Sequence, residues 1–124
     1  MKILVVDDDQ KLKGLFEQRF RREIRSSEMD FVFAVSGEEA LTYLGDHEKE
    51  NIIVLSDMNM SGMSGVELVK TIKSKYQPRP PVVMLMTAYA DSRSSETAKT
   101  SGADEFLTKP VDFTLLKEKL KKSR

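Results

Sequence analysis

Ile3-Leu4-Val5-Val6-Asp7-Asp8-Asp9 opens the chain with four apolar residues that run into three aspartates. A short β-branched run without alternation is the pattern of a strand buried on both faces of a parallel sheet. Two more such runs follow: Ile52–Leu55, ending in Ser56-Asp57, and Val82–Met86, ending in Thr87-Ala88. Weaker strands are expected at Phe31–Val35 and at Glu105-Phe106-Leu107, the latter ending in Thr108-Lys109-Pro110.

Amphipathic stretches separate these runs. Leu12, Leu15, Phe16, Phe20 and Ile24 recur at helical spacing with bases on the opposite side. Ser36-Gly37-Glu38-Glu39 and Ser64-Gly65-Val66-Glu67 match the capping-box pattern and predict helices over 37–44 and 65–75. Asp112 caps a last helix whose stripe is Leu115, Leu116 and Leu120. Asp91–Ser101 reads as a helix poor in apolar residues, with Ala98 its only one and Gly102 its stop. Alternating strands and helices of these lengths give five βα units, so the fold class is α/β, a single domain over residues 1–124.

Composition removes most function classes. A domain of 124 residues buries about two-thirds of its unfolded surface. Twenty acids balance twenty bases, which argues against direct nucleic-acid binding. The balance hides segregation: residues 10–27 carry six bases and two acids, and residues 109–124 the same. Without cysteine there is no disulfide framework, thiolate nucleophile or Cys-ligated metal, and one histidine leaves no triad or multi-His site. Apolar runs of five residues at most fall far short of the ~20 that cross a membrane or of a signal-peptide core, so a cytoplasmic protein is expected.

Ligands of a doubly wound sheet bind beyond the carboxyl ends of the strands, where strand order reverses. Those ends here carry Asp7-Asp8-Asp9, Asp57, Thr87 and Lys109. Packed carboxylates repel one another and demand a cation. Oxygen ligands with no His or Cys suit a hard ion, Mg2+ above all, which takes carboxylates, waters and a phosphate. Asp7, Asp8 and Asp57 sum to −3, and Mg2+ with Lys109 returns the site to zero, ready for a phosphoryl group on a nucleophilic aspartate.

Val5-Val6-Asp7-Asp8, Asp57-Met58-Asn59-Met60 with Gly65, Thr87-Ala88 and Lys109-Pro110, in that order, resemble the motifs of a response-regulator receiver domain over essentially the whole chain. Each motif alone is weak, but the ordered set at strand ends is specific. The resemblance implies a flavodoxin-like sheet of order 2-1-3-4-5. It implies Asp57 as phosphoacceptor, Asp8 as direct Mg2+ ligand, Asp7 acting largely through bound water, and the Asn59 backbone carbonyl as third protein ligand. It implies Thr87 as the hydroxyl that turns toward the phosphoryl oxygens, Lys109 as its ammonium partner, Ala88 as the small residue leaving room, and a cis Lys109–Pro110 bond. Phe106 matches an aromatic switch position but, as Phe, lacks a hydroxyl to anchor an outward rotamer. Implied partners are a histidine kinase or histidine phosphotransfer protein. Output would pass through a receiver dimer or a downstream protein target.

The remaining residues have plainer readings. Asp9 is expected at a helix N-terminus, where the dipole favours it. His47 is read as a surface-loop residue, and Met58, Met60 and Met63 as packing around Asp57, with Met58 and Tyr89 screening the phosphoryl group. Gln10, Leu12, Lys13 and Gly14 match the family's docking face, and Gly14 costs a helix about 1 kcal/mol relative to Ala. Ser61 stands where most of the family has proline, so the 60–65 loop is expected to be looser. The span from Asp8 to Asp57 is a few residues long for the family, the excess falling in Arg25–Met29 or Asp46–Asn51.

Two rival readings share this chemistry. An aspartate-nucleophile phosphatase of the haloacid-dehalogenase type would use Asp7-x-Asp9, though no cap domain or later acidic pair is present. A phosphorylation-independent binding module, or a flavin binder, would need no phosphoacceptor, but there is no Gly-rich phosphate loop and no Trp. The favoured reading is a phosphorylation-activated switch, catalysing only its own phosphorylation and dephosphorylation.

Overall fold

The computed structural model describes residues 1–88 and 100–123. Five parallel strands, β1 (Lys2–Val6), β2 (Asp30–Ala34), β3 (Ile52–Asp57), β4 (Val82–Thr87) and β5 (Glu105–Thr108), form one sheet in the order β2-β1-β3-β4-β5. Five helices accompany them among the described residues: α1 (Lys11–Arg19), α2 (Arg21–Arg25), α3 (Gly37–Asp46), α4 (Gly65–Lys75) and α5 (Phe113–Lys122). This is the doubly wound, flavodoxin-like α/β fold expected from the sequence. The helix expected over Asp91–Ser101 falls almost wholly outside the described residues, as does Tyr89.

Successive residues of a strand face opposite ways, and both faces here are covered. Leu4, Val6, Val54, Val83 and Leu85 meet Ala40 and Leu44 of α3 and Leu68, Val69 and Ile72 of α4. The odd-numbered set, Ile3, Val5, Ile53 and Leu55, together with Met84 and Met86 of β4, meets Phe16, Phe20 and Leu116 and Leu120 of α5 on the other face. Two-sided burial is why these strands read as unbroken apolar runs.

The serine half of each expected capping box forms. Ser36 and Ser64 Oγ accept the backbone N–H groups of Glu39 and Glu67 at 3.1 and 3.2 Å. Asp112 Oδ1 accepts from Thr114 and Leu115 N–H, each at 3.1 Å. His47 ends α3 rather than floating in a loop: its ring stacks on Tyr43 at 4.0 Å, and Nδ1 donates to the Tyr43 carbonyl at 2.8 Å.

The first helix differs from its periodic pattern. Phe20 sits at φ −106°, ψ 20°, dividing the expected single helix into α1 and α2. Its ring drives into an aromatic cluster with Phe16, Phe31 and Phe113. The break rotates the following turn, so Ile24 is turned outward and Glu23 inward, the reverse of the expected face. Buried Glu23 pairs with Lys117 of α5. Leu15 and Leu115, also placed in the apolar stripes, are exposed.

The Glu23–Lys117 pair predicts an acid-sensitive contribution to stability. The hydrogen bond from Lys117 outweighs burial and holds the Glu23 carboxyl below the usual range near 4.5. A carboxyl depressed in the folded state stabilises above its unfolded pKa and loses that contribution as pH falls through the folded value. Thermal melts should therefore show Glu23→Gln losing stability at neutral pH but converging on wild type in acid. Parallel curves throughout would refute this.

Candidate functional site

Strand order reverses between β1 and β3, and the crevice beyond their carboxyl ends collects the acids. Val6 registers with Ser56, so Asp7 and Asp57 leave adjacent strands side by side. Asp7 and Asp57 are buried, whereas Asp8 is exposed. One oxygen from each lies within 4.8 Å of the others. Lys109, just past β5, reaches across to Asp7 Oδ2 at 3.1 Å and Asp57 Oδ1 at 3.2 Å.

Backbone donors complete the frame. Asp9 N–H donates to Asp7 Oδ1 at 2.9 Å, and Asn59 N–H to Asp57 Oδ1 at 3.4 Å. Lys109 N–H donates to the Thr87 carbonyl at 2.7 Å, placing the ammonium stem beside the buried end of β4. Lys109–Pro110 is cis, as the resemblance implied. Gly65 is required where it stands: a Cβ there would lie 2.2 Å from the Asp57 carbonyl oxygen.

The electrostatics are unbalanced. Burial and the charge of Asp7 push the Asp57 carboxyl up, against the pull of Lys109. Burial opposes the Lys109 charge, yet the hydrogen bond to Asp7 and the charges of both aspartates hold its pKa above the usual value. One ammonium therefore does not compensate the pocket. Three carboxylate oxygens this close, with no nitrogen or sulfur ligand among them, have the donor chemistry of a Mg2+ site.

Asp7, Asp8, Asp57 and Lys109 are thus brought together, with Thr87 on the next strand. Phe106 lies on β5 opposite Leu85, half-buried against the α3–α4 side of the core. Asp9 is not part of the acid group. Its Oδ1 accepts from Lys11 N–H at 3.0 Å at the start of α1, the helix N-terminal placement expected of it. Met58 is buried, and Met60 and Met63 pack on the same core. Leu12 packs inward, whereas Gln10, Lys13 and Gly14 are exposed, and a Cβ on Gly14 would touch nothing. Among the described residues no helix is long and apolar enough to cross a membrane.

Ser61 does something the sequence did not announce. Its N–H donates to Asp8 Oδ2 at 3.2 Å, with its Oγ at 3.5 Å from the same oxygen. The expected loosening of this loop is met by a tie that proline could not make. A non-proline residue four positions after Asp57 was the available signal.

Comparison with known proteins agrees with this geometry. Residues 3–121 match the family model described as the response regulator receiver domain. The heme response regulator HssR of Staphylococcus epidermidis is 39% identical over 119 residues, covering 95% of this chain and 49% of its own length. The chain thus spans about half of the HssR proteins it matches. The solved chemotaxis protein CheY4 of Vibrio cholerae aligns with a TM-score of 0.77 at 25% identity over 99% of this chain and 98% of its own. The receiver domain of Saccharomyces cerevisiae Ssk1, solved with the histidine phosphotransfer protein Ypd1, shares the fold with a TM-score of 0.81 at 20% identity, covering 99% of this chain and 88% of that one. With the family model running nearly end to end and an acid crevice closed by a lysine at the strand reversal, the chain belongs to the response regulator receiver domains, the phosphorylation-activated switches of two-component signalling.

Proposed function

We propose that residues 1–124 form one receiver that takes a phosphoryl group onto Asp57 from the phosphohistidine of a histidine kinase or a histidine phosphotransfer protein in the cytoplasm. The observation that carries this reading is the state of Asp57: buried, bridged to Asp7 by Lys109, and still pushed toward its neutral form. Such a site gains from a further cation.

Asp7, Asp8, Asp57 and the Asn59 backbone carbonyl would hold Mg2+, which supplies charge neutralisation on the phosphoryl oxygens. Lys109 and Asn59 N–H both engage Asp57 Oδ1, leaving Oδ2 to attack phosphorus. As the new O–P bond forms, the P–N bond breaks and its electron pair leaves on the imidazole, which takes up a proton. Phosphoryl transfer asks mainly for positioning and charge stabilisation. The Lys109 ammonium then pairs with a phosphoryl oxygen instead of a bare carboxylate, and the Thr87 hydroxyl donates to another. Turning Thr87 frees space that Phe106, one strand over, can occupy. Phosphorylation shifts the population toward the active form to the extent that these contacts differ between the two forms. Output then passes to a second receiver or a downstream protein.

The reading is tested by intact-mass analysis after incubation with acetyl phosphate. With Mg2+ the chain should gain one phosphoryl group, and with EDTA none. Failure to gain it with Mg2+ would favour a module that works unphosphorylated.

A further inference from the structure

Lys109 touches only two of the three clustered carboxylates. Asp7 has Lys109 and Asp9 N–H, and Asp57 has Lys109 and Asn59 N–H. The donors that reach Asp8 come instead from Ser61, 53 residues away, through backbone N–H and hydroxyl on a single oxygen. We infer that Ser61 is a positioning residue that stabilises Asp8 when no ion is bound, and so sets the Mg2+ affinity of the site below what its ligands alone would give. This rests on the Mg2+ reading above.

The physics is a linkage. Two donors on a carboxylate oxygen offset part of the repulsion from Asp7 and Asp57, as a cation would. An ion taken up through Asp8 Oδ2 would compete with the Ser61 donors for that oxygen. Asp8 is exposed, and the donors left behind are rehydrated. Whatever stabilises only the ion-free form weakens ion binding by the same factor.

The hydroxyl contact is long and the N–H contact is the stronger, which gives a sharp pair of variants. Ser61→Pro removes the N–H, whereas Ser61→Ala retains it. Calorimetric titration with MgCl2 should find Ser61→Pro binding roughly 3- to 10-fold more tightly than wild type, and Ser61→Ala within about twofold. In the wild type, the Ser61 amide should shift in 1H–15N spectra and exchange faster with solvent as Mg2+ is added. Equal or weaker binding by Ser61→Pro overturns the inference. So does a Ser61 amide that stays put at saturating Mg2+, a measurement that stands even if the proline variant misfolds. A wild type that binds Mg2+ while Ser61→Pro matches it sinks this inference alone. A wild type that binds no Mg2+ sinks the proposed function with it.

Discussion

Asp57→Asn should gain no phosphoryl mass from acetyl phosphate and Mg2+ under conditions in which the wild type gains one group. Asparagine keeps the shape but has no anionic oxygen to attack phosphorus. The same variant should melt higher than wild type in EDTA. Burial and Asp7 raise the folded-state pKa of Asp57, so its ionised form is disfavoured in the fold. The sign follows from linkage: an acid whose pKa is raised on folding destabilises the fold wherever the unfolded chain is ionised, and that cost disappears only in acid. At neutral pH the asparagine removes it. Phosphorylation that persists in the variant would move the acceptor to Asp7 or Asp8, and a lower melting point would show that Lys109 wins over burial.

Lys109→Ala should have the opposite effect on stability and should disconnect phosphorylation from its response. Breaking a fully buried pair by removing one partner costs ~3–5 kcal/mol, and the Lys109 side chain keeps 27% exposure. A loss of roughly 2–3 kcal/mol in EDTA is therefore expected, recovered in part by Mg2+, the other cation for the same carboxylates. Phosphorylated Lys109→Ala should show none of the self-association or partner binding that phosphorylation is proposed to induce in the wild type. An unchanged melting point in EDTA, or an intact response, would remove Lys109 from the roles given to it.

Much of this was readable in the residues because the sheet is covered on both sides. Ile3–Val6, Ile52–Leu55 and Val82–Met86 lie within three of the strands, each extending by one or two residues. Ser36, Ser64 and Asp112 announced three helix starts because capping is local chemistry. The break at Phe20 was not local. It follows from where Phe31 and Phe113 put their rings, far along the chain, and it is what turned Ile24 out and Glu23 in. The acid crevice was legible because Asp7, Asp8, Asp57 and Lys109 each stand at or just past the carboxyl end of a strand. The Ser61–Asp8 bond was not, since a loop amide finds its acceptor only once the fold brings positions 8 and 61 together.

The aromatic cluster has a mechanical consequence. Asp7 is held by the N–H of Asp9, two residues ahead of α1. On α1, Phe16 stacks edge-on against Phe113 of α5 at 5.2 Å, and α5 begins at Asp112, three residues from Lys109, whose ammonium returns to Asp7. The path closes on itself. α1 and α5 are thus joined twice, through the packed rings of Phe16 and Phe113 and through the pair that Lys109 makes with Asp7.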